Sequence, residues 1–95
     1  MTHPYAERMS GLAESFPALS RRNIPGVRPW NQEALARSIG GLSHGEQCAV
    51  RFVLGVWAGG DYPNVRPFDF FEAMGVWDAG QRAALAAWVR EPFWP

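Results

Sequence analysis

Residues 43–57 read SHGEQCAVRFVLGVW, the most apolar run of the chain and the one with its clearest helix start. Ser43 is a favoured N-cap residue, and Glu46 three positions later completes the S-x-x-E pattern of a capping box. The few polar side chains that follow fall on one narrow stripe, so the rest of the predicted helix surface is apolar. A helix this short and this apolar is typical of a protein core, and Gly59 and Gly60 predict where it ends. We therefore expect the other helices to pack around it.

Composition indicates a single folded domain. The chain has 95 residues, a hydrophobic content of 47% and five tryptophans, which argues against disorder. Its one cysteine, Cys48, excludes an internal disulfide and gives no sign of an oxidising compartment. The sequence has neither a signal pattern nor an apolar run long enough to cross a membrane, so we expect a cytoplasmic protein with no membrane partner.

The N-terminal segment contains a further helical pattern. Apolar residues recur at helical spacing over residues 2–19, and Pro17 predicts that this helix ends near Ser15. The helix either docks on the core or forms an N-terminal arm, and residues 20–29 are predicted to form a loop. Within a single domain we therefore separate residues 1–25, an N-terminal helix or arm with a loop, from the helical core of residues 26–95.

The core region contains three more predicted helices. Asn31 is a candidate cap for the first, and Asp69 is one for the second unless that helix begins at Pro67. Asp78 caps the last, with Gln81 in the third position of a D-x-x-Q capping box. These helices span approximately residues 30–39, 67–77 and 79–90, and the packing residues expected for the second are Phe68, Phe71, Met74 and Phe70. The whole pattern predicts an all-α fold, a small single-domain bundle of four to five helices.

The core region also contains a repeated pattern. Residues 27–30, VRPW, and residues 65–68, VRPF, each precede a short helix, a cap and a longer helix. This favours two helical hairpins packed face to face, either duplicated or similar by independent origin. In the longer helices, the corresponding positions are Val50, Val53 and Leu54 in one and Leu85, Trp88 and Val89 in the other.

The sequence has few residues of the types that bind metals or act as catalytic nucleophiles. His44 and Cys48 are four residues apart on one predicted helix, so they form an alternative metal or thiol site. Zinc needs three or four ligands, yet the second histidine, His3, is far along the chain. A Cys–His nucleophile would need an orienting acid, for which only Glu46 and Asp69 are candidates. We therefore expect no catalytic residue, no metal ligand set and no cofactor, and hence no enzyme.

One basic cluster offers a nucleic-acid alternative. Arg21, Arg22 and Arg28 lie on the predicted loop with Trp30 close behind, and such a mixture can contact phosphates and stack on a base. However, nine basic residues, all of them arginine, balance nine acidic ones over the whole chain. Nucleic acid is therefore not the expected main partner.

The aromatic content favours a protein partner. Six Phe, five Trp and two Tyr are more than a domain of this size is expected to bury, and interfaces are enriched in aromatic residues and arginine. The leading hypothesis is a small non-enzymatic protein–protein interaction module: an adaptor, an inhibitor or a self-associating subunit such as a homodimer. Its size alone would suit an accessory protein of a phage or plasmid. The candidate partner-binding residues are Arg51, Tyr62, Trp77, Phe93 and Trp94.

Two of these assignments have structural alternatives. Arg51 is the one charged residue inside the predicted central helix, and an ion pair with Asp69 or Glu72 at the core edge would explain it equally well. Phe93 and Trp94 either project from the C-terminal tail or fold back to cover the end of the bundle.

Overall fold

The computed structural model describes residues 3–95, and within this range it contains helices, turns and loops but no strand. This confirms the predicted all-α fold of one small domain. A 3₁₀ turn at Ile39–Gly41 follows the third of six α-helices. The helices are α1 (Ala6–Ser15), α2 (Pro17–Ser20), α3 (Gln32–Ser38), α4 (His44–Ala58), α5 (Phe70–Val76) and α6 (Ala79–Arg90).

Helix α4 is the centre of the fold. Both hydrogen bonds of the capping box are present, from the backbone N–H of Glu46 to the Ser43 side chain and from the N–H of Ser43 to the Glu46 carboxylate. Gly59 ends the helix in the left-handed conformation at φ 72°. Helices α1, α2, α3 and α5 all pack against α4. The buried residues of α4 are Cys48, Ala49, Val50, Phe52, Val53, Leu54 and Val56.

The N-terminal segment is part of the core. Helix α1 ends at Ser15 as predicted, and Met9, Phe16 and Leu19 are at most 1% exposed. The sequence did not predict α2, which begins at Pro17 because proline is tolerated in the first turn of a helix. The described residues of this segment therefore dock on the bundle and do not form a detached arm.

The C-terminal helices differ from the predicted pair of equivalent hairpins. Helix α5 packs on α4, whereas α6 packs on α1 and α2. The backbone N–H groups of Gly80 and Gln81 donate to Asp78, so the predicted cap of α6 is present. The Gln81 side chain, however, does not complete a capping box: its nitrogen donates to Asp78 and its oxygen accepts from Ala18. Val89 is 60% exposed, unlike its buried counterpart Leu54 in α4, so the two hairpins do not pack equivalently.

None of the helices within residues 3–95 combines the length and the apolar character needed to cross a bilayer.

Candidate functional site

Two adjacent phenylalanines project from the first turn of α5. Asp69 caps this helix by accepting a hydrogen bond from the backbone N–H of Glu72 at 3.0 Å. Phe71 is 85% exposed and Phe70 is 52% exposed, and their rings meet edge to face with centroids 5.6 Å apart. Ala73, which is fully buried, marks the face of α5 that packs on the core. The prediction that Phe71 packs inward is therefore wrong, because two positions correspond to about 200° around a helix.

A shallow apolar groove is lined in part by Phe68, which comes just before α5. Its volume is about 210 Å³. Trp94 is 54% exposed and packs edge to face on Trp88 with centroids 5.2 Å apart. Phe68 lines the groove and precedes Phe70 by two residues, a separation of at most about 7 Å between their Cα atoms. The lining residues are Phe52, Gly55, Val56, Gly59, Gly60, Phe68, Trp88 and Trp94. We call Phe70, Phe71 and this groove the aromatic surface.

Two candidate partner-binding residues lie inside the protein. Trp77 is only 4% exposed, packs against Phe16 with ring centroids 5.4 Å apart, and donates its indole N–H to the carbonyl of Gly45 at 3.0 Å. Trp77 is the C-cap residue of α5, and its side chain points into the core. The Arg51 side chain is 9% exposed, with Nη1 3.6 Å from a carboxylate oxygen of Glu72. Both side chains therefore pack inside the protein, and neither presents the binding surface that the sequence predicted.

The C-terminal tail folds back, as the alternative prediction proposed. Phe93 is half-buried, with its ring 4.0 Å from the guanidinium carbon of Arg8. The indole N–H of Trp88 donates to the carbonyl of Phe93 at 3.2 Å. Trp94 remains half-exposed at the groove, and Tyr62, in the loop after α4, is half-buried. Of the predicted set, Trp94 is thus the residue most available to a partner.

The arginines of the nucleic-acid alternative each face a carboxylate of the same chain. Arg22 forms two hydrogen bonds with Glu46, at 2.8 and 3.0 Å. Arg21 lies 3.6 Å from Asp78. Arg28 contacts Glu14 at 2.9 Å and Glu7 at 2.6 Å, and Trp30 is half-buried against Trp57. The loop therefore presents little unpaired positive charge to a phosphate backbone.

A polar cluster lies where α5 meets the start of α4. The two carboxylate oxygens of Glu72 have different partners: His44 Nε2 is 2.7 Å from Oε2, and Arg66 Nη2 is 2.9 Å from Oε1. The hydrogen bond with His44 is the main reason that the pKa of Glu72 lies below its ordinary value, and the charges of Arg66 and Arg51 act in the same direction. Glu72 is therefore the centre of this cluster, and the expected Arg51 ion pair is made with it.

The Cys48 thiol completes the cluster and is not an activated nucleophile. It is 1% exposed, and burial, with the nearby Glu72 charge, raises its pKa. A thiol nucleophile requires a lowered pKa and access to substrate. The carboxylate that contacts His44 is that of Glu72, and the two acids that the sequence left open, Glu46 and Asp69, make no such contact among residues 3–95.

No protein-family model, curated protein or solved structure matches this chain.

Proposed function

We propose that this chain is a small non-enzymatic protein–protein interaction module that binds through the aromatic surface. The observation that carries the proposal is the exposure of Phe71 (85%) beside Phe70 (52%) on a well-capped helix. Single exposed apolar side chains are common, but two adjacent exposed rings in contact with each other form a patch of the kind that interfaces bury.

The geometry favours a partner with a concave apolar site. Phe71 projects from a helix whose buried face packs on α4, so the backbone that carries the ring is already ordered before binding. Aromatic side chains that insert into a pocket carry a large share of binding energy. The groove lined by Trp88 and Trp94 can in turn receive an apolar side chain of the partner. A partner protein or a second copy of this chain meets these requirements, which suits an adaptor, an inhibitor or a self-associating subunit in the cytoplasm.

The alternative of nucleic-acid binding is less well supported. Arg22 and Arg28 form short ion pairs with Glu46 and Glu14, so phosphate contacts would have to compete with existing ones. The aromatic surface has no such competitor among residues 3–95.

Self-association is the first test. Sedimentation of the full chain over a wide concentration range measures whether it forms a dimer. Under the proposal, Phe71→Ser shifts any association to higher concentration by about tenfold or more, the effect of losing an interface hot spot. Val89→Ser is the control, because Val89 is also exposed (60%) and, although it follows Trp88 on α6, it does not line the groove.

Binding to another protein requires a second test. A photo-crosslinking phenylalanine analogue at position 71 is expected to capture one discrete partner, or a second copy of the chain, in the native lysate. The same analogue at position 89 should not capture that species. A strictly monomeric protein together with no discrete crosslink from position 71 would overturn the proposal.

A further inference from the structure

Two helices bring three zinc-binding groups together in the polar cluster. One ring nitrogen of His44, Sγ of Cys48 and one carboxylate oxygen of Glu72 all lie within 4.8 Å of one another. His44 and Cys48 are four residues apart in α4 and so share a face of that helix. The cap at Asp69 starts α5 so that Glu72 lies opposite them. Nitrogen, sulfur and oxygen donors in this combination are ligands that zinc accepts.

We propose that His44, Cys48 and Glu72 bind one Zn²⁺ ion through imidazole nitrogen, thiolate sulfur and carboxylate oxygen. Zinc sites with three protein ligands are completed by a water molecule. The His44 side chain is 55% exposed, which leaves the solvent side of the cluster open for this water. The proposal goes beyond the interaction function and does not depend on it.

The distances require only side-chain adjustment. Zinc bonds of about 2.0–2.3 Å place tetrahedral ligands roughly 3.3–3.7 Å apart. His44 Nε2 and Glu72 Oε2 are now 2.7 Å apart and would separate slightly as the ion replaces the proton between them. The most distant pair of the three donor atoms, within 4.8 Å, would approach by about 1 Å. Rotation of exposed His44 and half-buried Glu72 can supply both changes.

Burial and the Glu72 charge disfavour a thiolate at Cys48, whereas the charges of Arg51 and Arg66 favour one. Arg66 and Arg51 both approach Oε1 of Glu72, at 2.9 and 3.6 Å, which leaves Oε2 for the ion. Arg51 is 9% exposed, and among residues 3–95 its Nε and Nη1 atoms have no hydrogen-bond partner. It lies three residues from Cys48 on α4, so a thiolate would place a second negative charge near this guanidinium, which already pairs with Glu72 and donates to Gln47. When Zn²⁺ binds, the S–H bond breaks, the Zn–S bond forms and the proton is released to solvent.

A bound ion would link α5 to α4. Glu72 is on α5, whereas His44 and Cys48 are on the first turns of α4. Because Zn²⁺ would bind the folded chain and not the dispersed ligands of the unfolded one, it would raise the melting temperature.

The test uses the full chain and the metal alone. We expect one equivalent of Zn²⁺ to bind in competition with a chromophoric chelator and to raise the melting temperature. Co²⁺ at one equivalent should give a thiolate-to-cobalt charge-transfer absorption. Absence of stoichiometric Zn²⁺ binding, or a Co²⁺ complex without the thiolate band, would overturn the proposal.

Variants identify the ligands. His44→Gln and Cys48→Ala should each weaken Zn²⁺ binding by more than about 100-fold, beyond the usual effect of losing a residue that only supports a ligand. His3→Gln is the matched control and should bind Zn²⁺ as the parent protein does. Because His44 is exposed, His44→Gln is expected to fold even if Cys48→Ala does not, and metal-free melting of each variant checks this. Zn²⁺ binding that survives in His44→Gln contradicts the proposed ligand set.

Discussion

The backbone N–H of Ala18 donates a 2.8 Å hydrogen bond to the side-chain oxygen of Gln81, which lies 63 positions later in the chain. Ala18 belongs to the first turn of α2, whose N–H groups have no partner inside the helix. Gln81 is only 5% exposed, and its side-chain nitrogen donates to Asp78 at 2.6 Å. A side chain on α6 thus caps the N-terminus of α2 and connects a helix near the start of the chain to the last helix.

Replacement of Gln81 by leucine should destabilise the fold. The substitution keeps an apolar stem of similar size but leaves the N–H of Ala18 buried without an acceptor, which costs about 1–3 kcal/mol. Chemical denaturation of Gln81→Leu measures the loss in unfolding free energy. Ala87→Gln, at an exposed position of the same helix, is the control and should change it by less than about 0.5 kcal/mol. A Gln81→Leu variant as stable as the parent would show that this hydrogen bond contributes nothing.

Gly26 allows the loop before α3 to touch the start of that helix. Its φ is +93°, and its carbonyl accepts a hydrogen bond from the N–H of Asn31 at 2.9 Å. A Cβ at this position would lie 2.5 Å from the backbone nitrogen of Leu35, and the neighbouring atoms are backbone that cannot rotate away. Both the conformation and the contact therefore select glycine.

Alanine substitutions at two glycines should have opposite signs. Gly26→Ala is expected to cost at least about 1–3 kcal/mol, because it combines backbone strain with a backbone clash. Gly11→Ala, in the interior of α1 with open space around the new Cβ, should stabilise by about 0.5–1 kcal/mol. Thermal and denaturant melts of the two variants provide the comparison. Equal effects would mean that the tight approach at Gly26 is relieved by movement of the loop.

The features that the sequence predicts correctly are those determined within one or two helical turns. The capping box of Ser43 and Glu46 and the cap at Asp78 are local, so they appear in the structure as expected. The sequence does not determine the orientation of α5, because it permits a start at either Pro67 or Asp69. Phe71 is exposed because α5 packs through Ala73, and this follows from contacts with α4 and not from hydrophobicity.

Only part of the polar cluster could be predicted from the sequence, because it also depends on how two helices pack. The spacing of His44 and Cys48 is visible in α4, but Glu72 joins them only once α5 has packed against that helix. The hydrogen bond between Gln81 and Ala18 could not be predicted either, since α2 is only four residues long and has no periodic pattern.

Acid titration should reveal the ion pair of Glu14 and Arg28. The hydrogen bond from Arg28, with one N–O distance of 2.9 Å, holds the pKa of the Glu14 carboxyl below its ordinary value of 4.5. A carboxyl whose pKa is lowered in the folded state stabilises the fold above its unfolded pKa, and this contribution is lost as pH falls through the folded value. We expect carboxyl NMR titration of Arg28→Met to move the pKa of Glu14 up towards 4.5. Arg37→Met, which alters an exposed pair on α3, should leave it unchanged.

Substitution should affect stability far more at Trp77 than at Phe71, because only Trp77 is buried. Trp77→Ala removes a ring packed on Phe16 and the hydrogen bond to Gly45, so it is expected to cost about 3–5 kcal/mol. Phe71→Ser removes an 85% exposed ring and should change the unfolding free energy by less than about 0.5 kcal/mol.

Denaturation curves of both variants, with Trp77→Phe as an intermediate, make this comparison. Trp77→Phe retains most of the ring but not its N–H, so it should lose about 0.5–1.5 kcal/mol for the hydrogen bond, with a further loss for the smaller ring. If Phe71→Ser were as destabilising as Trp77→Ala, Phe71 would belong to the core, and the aromatic surface would have lost its central residue. If instead Phe71→Ser keeps the stability of the parent, any loss of association in that variant can be assigned to the surface itself.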